Sequence, residues 1–295
     1  MTTTETLDLR CSTQARALAA DPLGTAVHAR ALLLVELPLP WPADIGDHAA
    51  LAEVVPVAEQ MGARVQGLVP EPDRAARGEA LVVLHTAPDG PFREYERRAA
   101  VVPAAAVAAE LAGLPEAPAA EVLVCSHGAR DRCCGSLGTT LHTGAGARSR
   151  TGVHLHRTSH LGGHRFAPTA VLLPQGTAWA WLDDALLGAI LDRRVPPAAL
   201  AGHYRGSLAM PHPAAQVVEG AVFAAVGWDW LDHGRQGTVV AEDGDRWTIR
   251  LDSTAGTWHG VVERTGTAPQ PVCGQPLAAA KKSDDQLRLV ALEQD

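Results

Sequence analysis

Three apolar runs early in the chain, RALLLVELP (30–38), ARVQGLVPE (63–71) and EALVVLHTA (79–87), are bounded by Pro, Gly and Asp and contain β-branched residues. Runs of this length with these ends predict strands. Residues 47–61 and 103–113 carry Ala-rich spacing compatible with helices, and Pro56 interrupts the first. The segment GLPEAPAAE (113–121), with two prolines and no clear periodicity, is the best boundary candidate.

A second round starts at EVLVCSHG (121–128). It continues through a helix over 134–143, the alternating run GVHLHRTSH (152–160), then TAVLLPQG (169–176), TAWAWL (177–182) and a helix at DDALLGAILDRR (183–194). Asp183 or Asp184 suits that helix's start, and Arg193 and Arg194 suit its end. The halves read β, α, β, β, α and β, α, β, β, β, α. This leaves an internal structural repeat open, with no residue-level repeat behind it. Beyond Pro196, AAQVVEGAVFAAVGWDWL predicts one amphipathic helix. In GTVVAEDGDRWTIRLD, the Glu-Asp-Gly-Asp between alternating runs predicts a β-hairpin, and GTWHGVVER and QLRLVALEQ predict two more strands. The pattern divides the chain into an α/β region over 1–118, a second α/β unit over 119–203 and an α+β extension over 204–295.

Composition narrows the function classes. With 295 residues, 46% hydrophobic and 20% charged, the chain has ample material for a buried core. A net charge of −8 with no Lys/Arg block longer than two excludes an electrostatic footprint for nucleic acid. The N-terminal MTTTETLDLRCSTQ carries acids and no apolar core of a signal peptide. The longest apolar stretch near it, ALLLVELPLPW, is interrupted by Glu36 and two prolines and is far shorter than the roughly 20 residues of a membrane span. A cytoplasmic location without membrane association is expected. The cysteines number five, an odd and sparse set that does not form a disulfide framework. In a reducing compartment, clustered cysteines point to metal or redox chemistry.

Four potential ligands stand at usable spacing: Cys125 and Cys134 (C-x8-C), then His160 and His164 (H-x3-H). Two thiolates and two imidazoles suit zinc or an iron–sulfur centre. Gly162 and Gly163 argue against a helix through the histidines, which are expected on a loop between strands. C-x8-C is wider than the C-x2–4-C of common structural zinc sites, and a Rieske arrangement lacks its second Cys-His loop. A thiol enzyme with Cys125 as nucleophile would leave Cys134 and one histidine unused.

Two stretches, VCSHGARDRCCGSLG and SHLGGHRFAPTAVLLPQG, carry a specific resemblance. RCSTQARALAADPLGTA, HARALLLVELPLPW and YRGSLAMPHPAAQVVEGA add weaker support. Through them the chain resembles the sucrase/ferredoxin-like family over most of residues 10–225. The resemblance implies an α/β fold with a thioredoxin-like ferredoxin domain, here with H-x3-H where thioredoxin-like ferredoxins carry a second cysteine pair. It implies a [2Fe-2S] cluster held by Cys125, Cys134, His160 and His164, with Cys133 as the neighbouring alternative to Cys134. The implied function is one-electron transfer with a redox partner protein or a small-molecule reductant. No sucrase activity is expected, because no carboxylate pair of the kind a glycosidase needs is identified. A zinc-binding scaffold and a thiol enzyme are the alternatives.

Other residues read more simply. Arg130, Asp131 and Arg132 form either a frame around the cysteine loop or a solvated charge run. Arg165 either balances the charge of a reduced cluster, docks an acidic partner, or is a surface arginine. His127, His142, His154 and His156 read as surface or hydrogen-bonded histidines, Trp179 and Trp181 as packing residues, and Cys11 and Cys273 as structural thiols without a partner motif.

Overall fold

The structure is a computed structural model that describes residues 9–144 and 151–295. Among the described residues, nine strands form one mixed sheet: β1 (Ala31–Glu36), β2 (Ala63–Leu68), β3 (Glu79–Thr86), β4 (Glu96–Pro103), β5 (Ala120–Cys125), β6 (Val153–Thr158), β7 (Ala170–Leu173), β8 (Thr177–Trp179) and β9 (Tyr204–Ser207). Their spatial order is β4-β3-β1-β2-β6-β5-β7-β8-β9. All six residues of β1 and the last five of β5 are buried, as expected of inner strands covered on both faces. The fold is α/β, and its strand arrangement is that of a thioredoxin-like protein.

The repeat left open by the sequence is present in the topology. β1 runs parallel to β2 and antiparallel to β3, which pairs antiparallel with β4. β5 runs parallel to β6 and antiparallel to β7, which pairs antiparallel with β8. The two four-stranded units meet edge to edge where Leu68 of β2 pairs with Thr158 of β6. The expected boundary at 118/119 therefore falls between two units of one continuous sheet. That sheet extends past residue 203 through β9, which pairs with β8.

Two strands, one proline and one helix end depart from the sequence reading: the single helix expected over 214–231 stops at Val226, before Gly227 at φ +95°. β4 is hidden behind Glu96 and Arg98, charges that suit an exposed edge, and behind Arg97, whose charge turns inward to Glu121. β9 is only four residues long and carries Arg205 and Gly206. Pro56 does not interrupt a helix. It lies in the first turn of the helix Val54–Gln60, where its missing N–H has no intrahelical partner to lose.

The C-terminal sheet is antiparallel: β10 (Arg235–Asp243), β11 (Arg246–Ser253), β12 (Gly256–Pro269) and β13 (Ser283–Gln294). The turn at Gly244, in the left-handed region at φ +57°, closes the hairpin predicted at Glu-Asp-Gly-Asp. This sheet packs Trp247, Ile249, Leu251, Trp258 and Val262 into a core shared with the helix Pro213–Val226 and with Trp179 of β8. Trp181 lies beyond β8, stacked edge-on to Phe166.

Candidate metal centre

Cys125 ends β5, fully buried, with its N–H donated to the carbonyl of Thr169. The chain then loops out and returns at Cys134, the first residue of a π-helical turn (Cys134–Gly138) that runs into the helix Thr139–Thr143. Glycine permits the return. A Cβ at Gly135 would stand 2.5 Å from the Cα of Gly128, and one at Gly138 would overlap the Cys125 carbonyl oxygen. π-turns within helices recur at functional sites.

The H-x3-H motif lies between β6 and β7, as the glycine pair predicted. Gly162 and Gly163 take φ of +77° and +66°, and His164 opens a single 3-10 turn. Arg205, fully buried, underlies this loop: it donates to the carbonyls of Gly162 and Thr25. From the other side, the His160 N–H donates to Nδ1 of His127, whose Nε2 donates to the carbonyl of Pro42. These bonds fix His127 as the neutral Nε2–H tautomer, and burial pushes its pKa down in agreement. His127 is thus a positioning residue for the His160 loop. Of the two expectations for it, surface or hydrogen-bonded, the second holds.

Three of the four expected ligands converge. His160 Nδ1 lies 3.8 Å from Cys125 Sγ and 3.9 Å from Cys134 Sγ, and the three donor atoms lie within 4.8 Å of one another. The His164 ring lies beside that of His160, centroids 6.0 Å apart, but its Nδ1 turns away. It sits 3.4 Å from Asp131 Oδ2 and 3.4 Å from Cys11 Sγ. The adjacent cysteines diverge: Cys134 faces Cys125 and His160, whereas Cys133 faces Cys11 and Cys273.

The electrostatics favour one thiolate in the Cys125–Cys134 pair. The hydrogen bond from Cys134 lowers the Cys125 thiol pKa, aided by His160. The same bond, with burial, raises that of Cys134. Buried Arg205 supplies positive charge to this pair, and burial lowers its pKa to about 10. Arg165 is neither a surface arginine nor free to dock a partner. It is paired with Asp284 of β13 and lies 4.3 Å above the Phe166 ring. Asp131 is likewise no solvated charge. It is buried, and its Oδ1 accepts the Cys133 N–H at 2.7 Å.

Residues 22–206 match the family model described as Sucrase/ferredoxin-like. The chain belongs to that family. No curated protein and no solved structure matches it. The family match spans both four-stranded units and the whole thiol–imidazole site, whereas Cys11 and Cys273 fall outside it. The ferredoxin half of the description and the Cys/His groups agree on a redox-related role. Among the described residues no helix is long and apolar enough to cross a membrane.

Proposed function

We propose that the protein transfers single electrons through a [2Fe-2S] cluster held by Cys125, Cys134, His160 and His164. The observation that carries the reading is the convergence of Cys125, Cys134 and His160 at the end of β5, with the His164 ring beside that of His160. The donor set fits the group: two buried thiols on one side, two half-buried imidazoles on the other, and buried Arg205 to offset negative charge. When bound, such a cluster accepts and returns one electron.

The chain's own groups set the terms of that exchange. Asp131 faces His164 Nδ1, the arrangement in which a histidine offers its other ring nitrogen, Nε2, to a metal. His127 holds the His160 backbone, and Arg205 holds the glycine turn between the two histidines. The cysteines are sealed and the imidazoles reach the surface, so a partner protein or small reductant exchanges electrons at the histidine edge.

Zinc is the second reading, because separations of 3.8 and 3.9 Å also suit two thiolates and an imidazole around a single ion. A thiol enzyme is disfavoured, since Cys125 is fully buried and cannot meet a substrate. Iron and acid-labile sulfide assays on anaerobically purified protein separate the first two. About two irons and two sulfides per chain, with red-brown visible absorption, support the cluster. Stoichiometric zinc at this site without sulfide would refute it.

A further inference from the structure

Cys11, Asp131, Cys133 and Cys273 converge on a second centre beside the first. Cys133 Sγ is 3.1 Å from Cys273 Sγ, which is 3.5 Å from Cys11 Sγ. Asp131 Oδ1 lies 3.3 Å from Cys11 Sγ and 3.2 Å from Cys273 Sγ. All four donor atoms lie within 4.8 Å of one another, three on buried residues and the fourth on half-buried Cys273. They come from distant parts of the chain: the start of the first helix, the cysteine loop, and the connection between β12 and β13.

We propose that these four residues form a closed, structural metal site for a thiophilic divalent cation, zinc by its preferences. A tetrahedral zinc site with Zn–S bonds of about 2.3 Å has sulfur–sulfur edges of roughly 3.8 Å, so the 3.5 Å spacing needs to open by about 0.3 Å and the 3.1 Å spacing by about 0.7 Å. A disulfide does not explain the group. It requires sulfurs about 2 Å apart, uses two of the three thiols, and leaves a buried carboxylate among them. Burying that carboxylate beside three thiols is costly, and a cation bound by all four offsets the cost.

Soft thiolate donors select zinc over the hard cations, and four protein donors leave no open position for chemistry. Asp131 is already oriented: Oδ1 points into the group, while Oδ2 faces His164 Nδ1. Consecutive residues on a helical turn project about 100° apart, which lets Cys133 serve this site while Cys134 serves the other. The ion would tie the N-terminal helix and the β12–β13 connection to the cysteine loop.

The test is metal analysis of the full chain, expressed and purified in zinc-containing medium, with iron measured alongside. Cys273→Ser and Cys11→Ser should each remove about one zinc per chain and leave iron and visible absorption unchanged. Cys125→Ser should do the reverse, losing iron and keeping that zinc, so failure of this site and failure of the cluster give different results. Should the first site hold zinc instead, Cys273→Ser still removes one ion and leaves the other. If the variants fail to fold, X-ray absorption at the zinc edge of the wild type reads the shell directly, with three sulfurs and one oxygen expected. Wild type with no zinc beyond the first site, a Cys133–Cys273 disulfide in the intact mass, or iron lost on Cys273→Ser would each overturn the proposal.

Discussion

Gly138 packs against the carbonyl of Cys125 so closely that a side chain at 138 would overlap that oxygen. The neighbour is backbone at the end of a buried strand and cannot rotate aside. The eight residues between Cys125 and Cys134 can bring the two thiols together only while this contact and that of Gly135 with Gly128 are free of side chains. Gly138→Ala should therefore cost on the order of 3 kcal/mol by overpacking and sharply reduce metal loading. Gly113→Ala, with nothing within 4 Å of its Cβ, is the control expected to change neither. The thermal midpoint and iron content of the two variants check this, and wild-type loading in Gly138→Ala would count against it.

The divergence of the adjacent cysteines makes their replacement informative. Cys134→Ala should abolish the visible absorption, because its sulfur faces Cys125 and His160. Cys133→Ala should keep most of that absorption, because its sulfur faces Cys11 and Cys273. Spectra of the two variants, reconstituted side by side with iron and sulfide, decide it. The opposite pattern would shift the ligand assignment by one residue.

Local pattern revealed the strands around the site because apolar runs bounded by turn residues report burial directly, as at β1 and β5. It missed β4, whose edge position is paid for with charge, and β9, too short to show a period. The spacing of Cys125, Cys134 and His160 was legible because the three lie within 35 positions of one another. Cys11 and Cys273 show no partner motif in the sequence because 262 positions separate them, and only the tertiary fold brings them together. The role of His127 was hidden for the same reason: its partner Pro42 lies 85 positions away.

Glu121 supplies a test of the joint between the two four-stranded units. Its buried carboxylate binds His85 of β3, accepts from Arg97 of β4 at 3.0 Å and lies 3.3 Å from His156 of β6. Burial alone would raise its pKa, but the His156, His85 and Arg97 side chains outweigh it and hold the carboxyl well below the usual range. A carboxyl with a depressed folded pKa contributes its full stability above its unfolded value, near 4.5, and loses it progressively as the pH falls further. Glu121→Gln should destabilise the protein by about 3 to 5 kcal/mol at neutral pH and flatten the acid limb of its stability curve. Denaturant titrations at neutral and acid pH measure both effects, and an equally steep acid limb in the variant would remove Glu121 as its cause.

The two imidazoles predict a reduction potential above that of all-cysteine ferredoxins and dependent on pH. An oxidised [2Fe-2S] core with two thiolates and two neutral imidazoles carries no net charge, whereas four thiolates leave it negative, so an added electron meets less repulsion. Histidine ligation raises Rieske potentials to roughly −150 to +300 mV, against about −400 mV for plant-type ferredoxins. Each ligating imidazole keeps a second nitrogen whose proton is held more tightly once the cluster is reduced. In the proposed site that nitrogen on His164 would be Nδ1, which faces Asp131, so its proton would have a carboxylate to stabilise it. Where one proton accompanies one electron, the potential falls by about 59 mV per pH unit. Voltammetry from acid to alkaline pH reads the slope, and a flat potential in the all-cysteine range would exclude His160 and His164 as ligands.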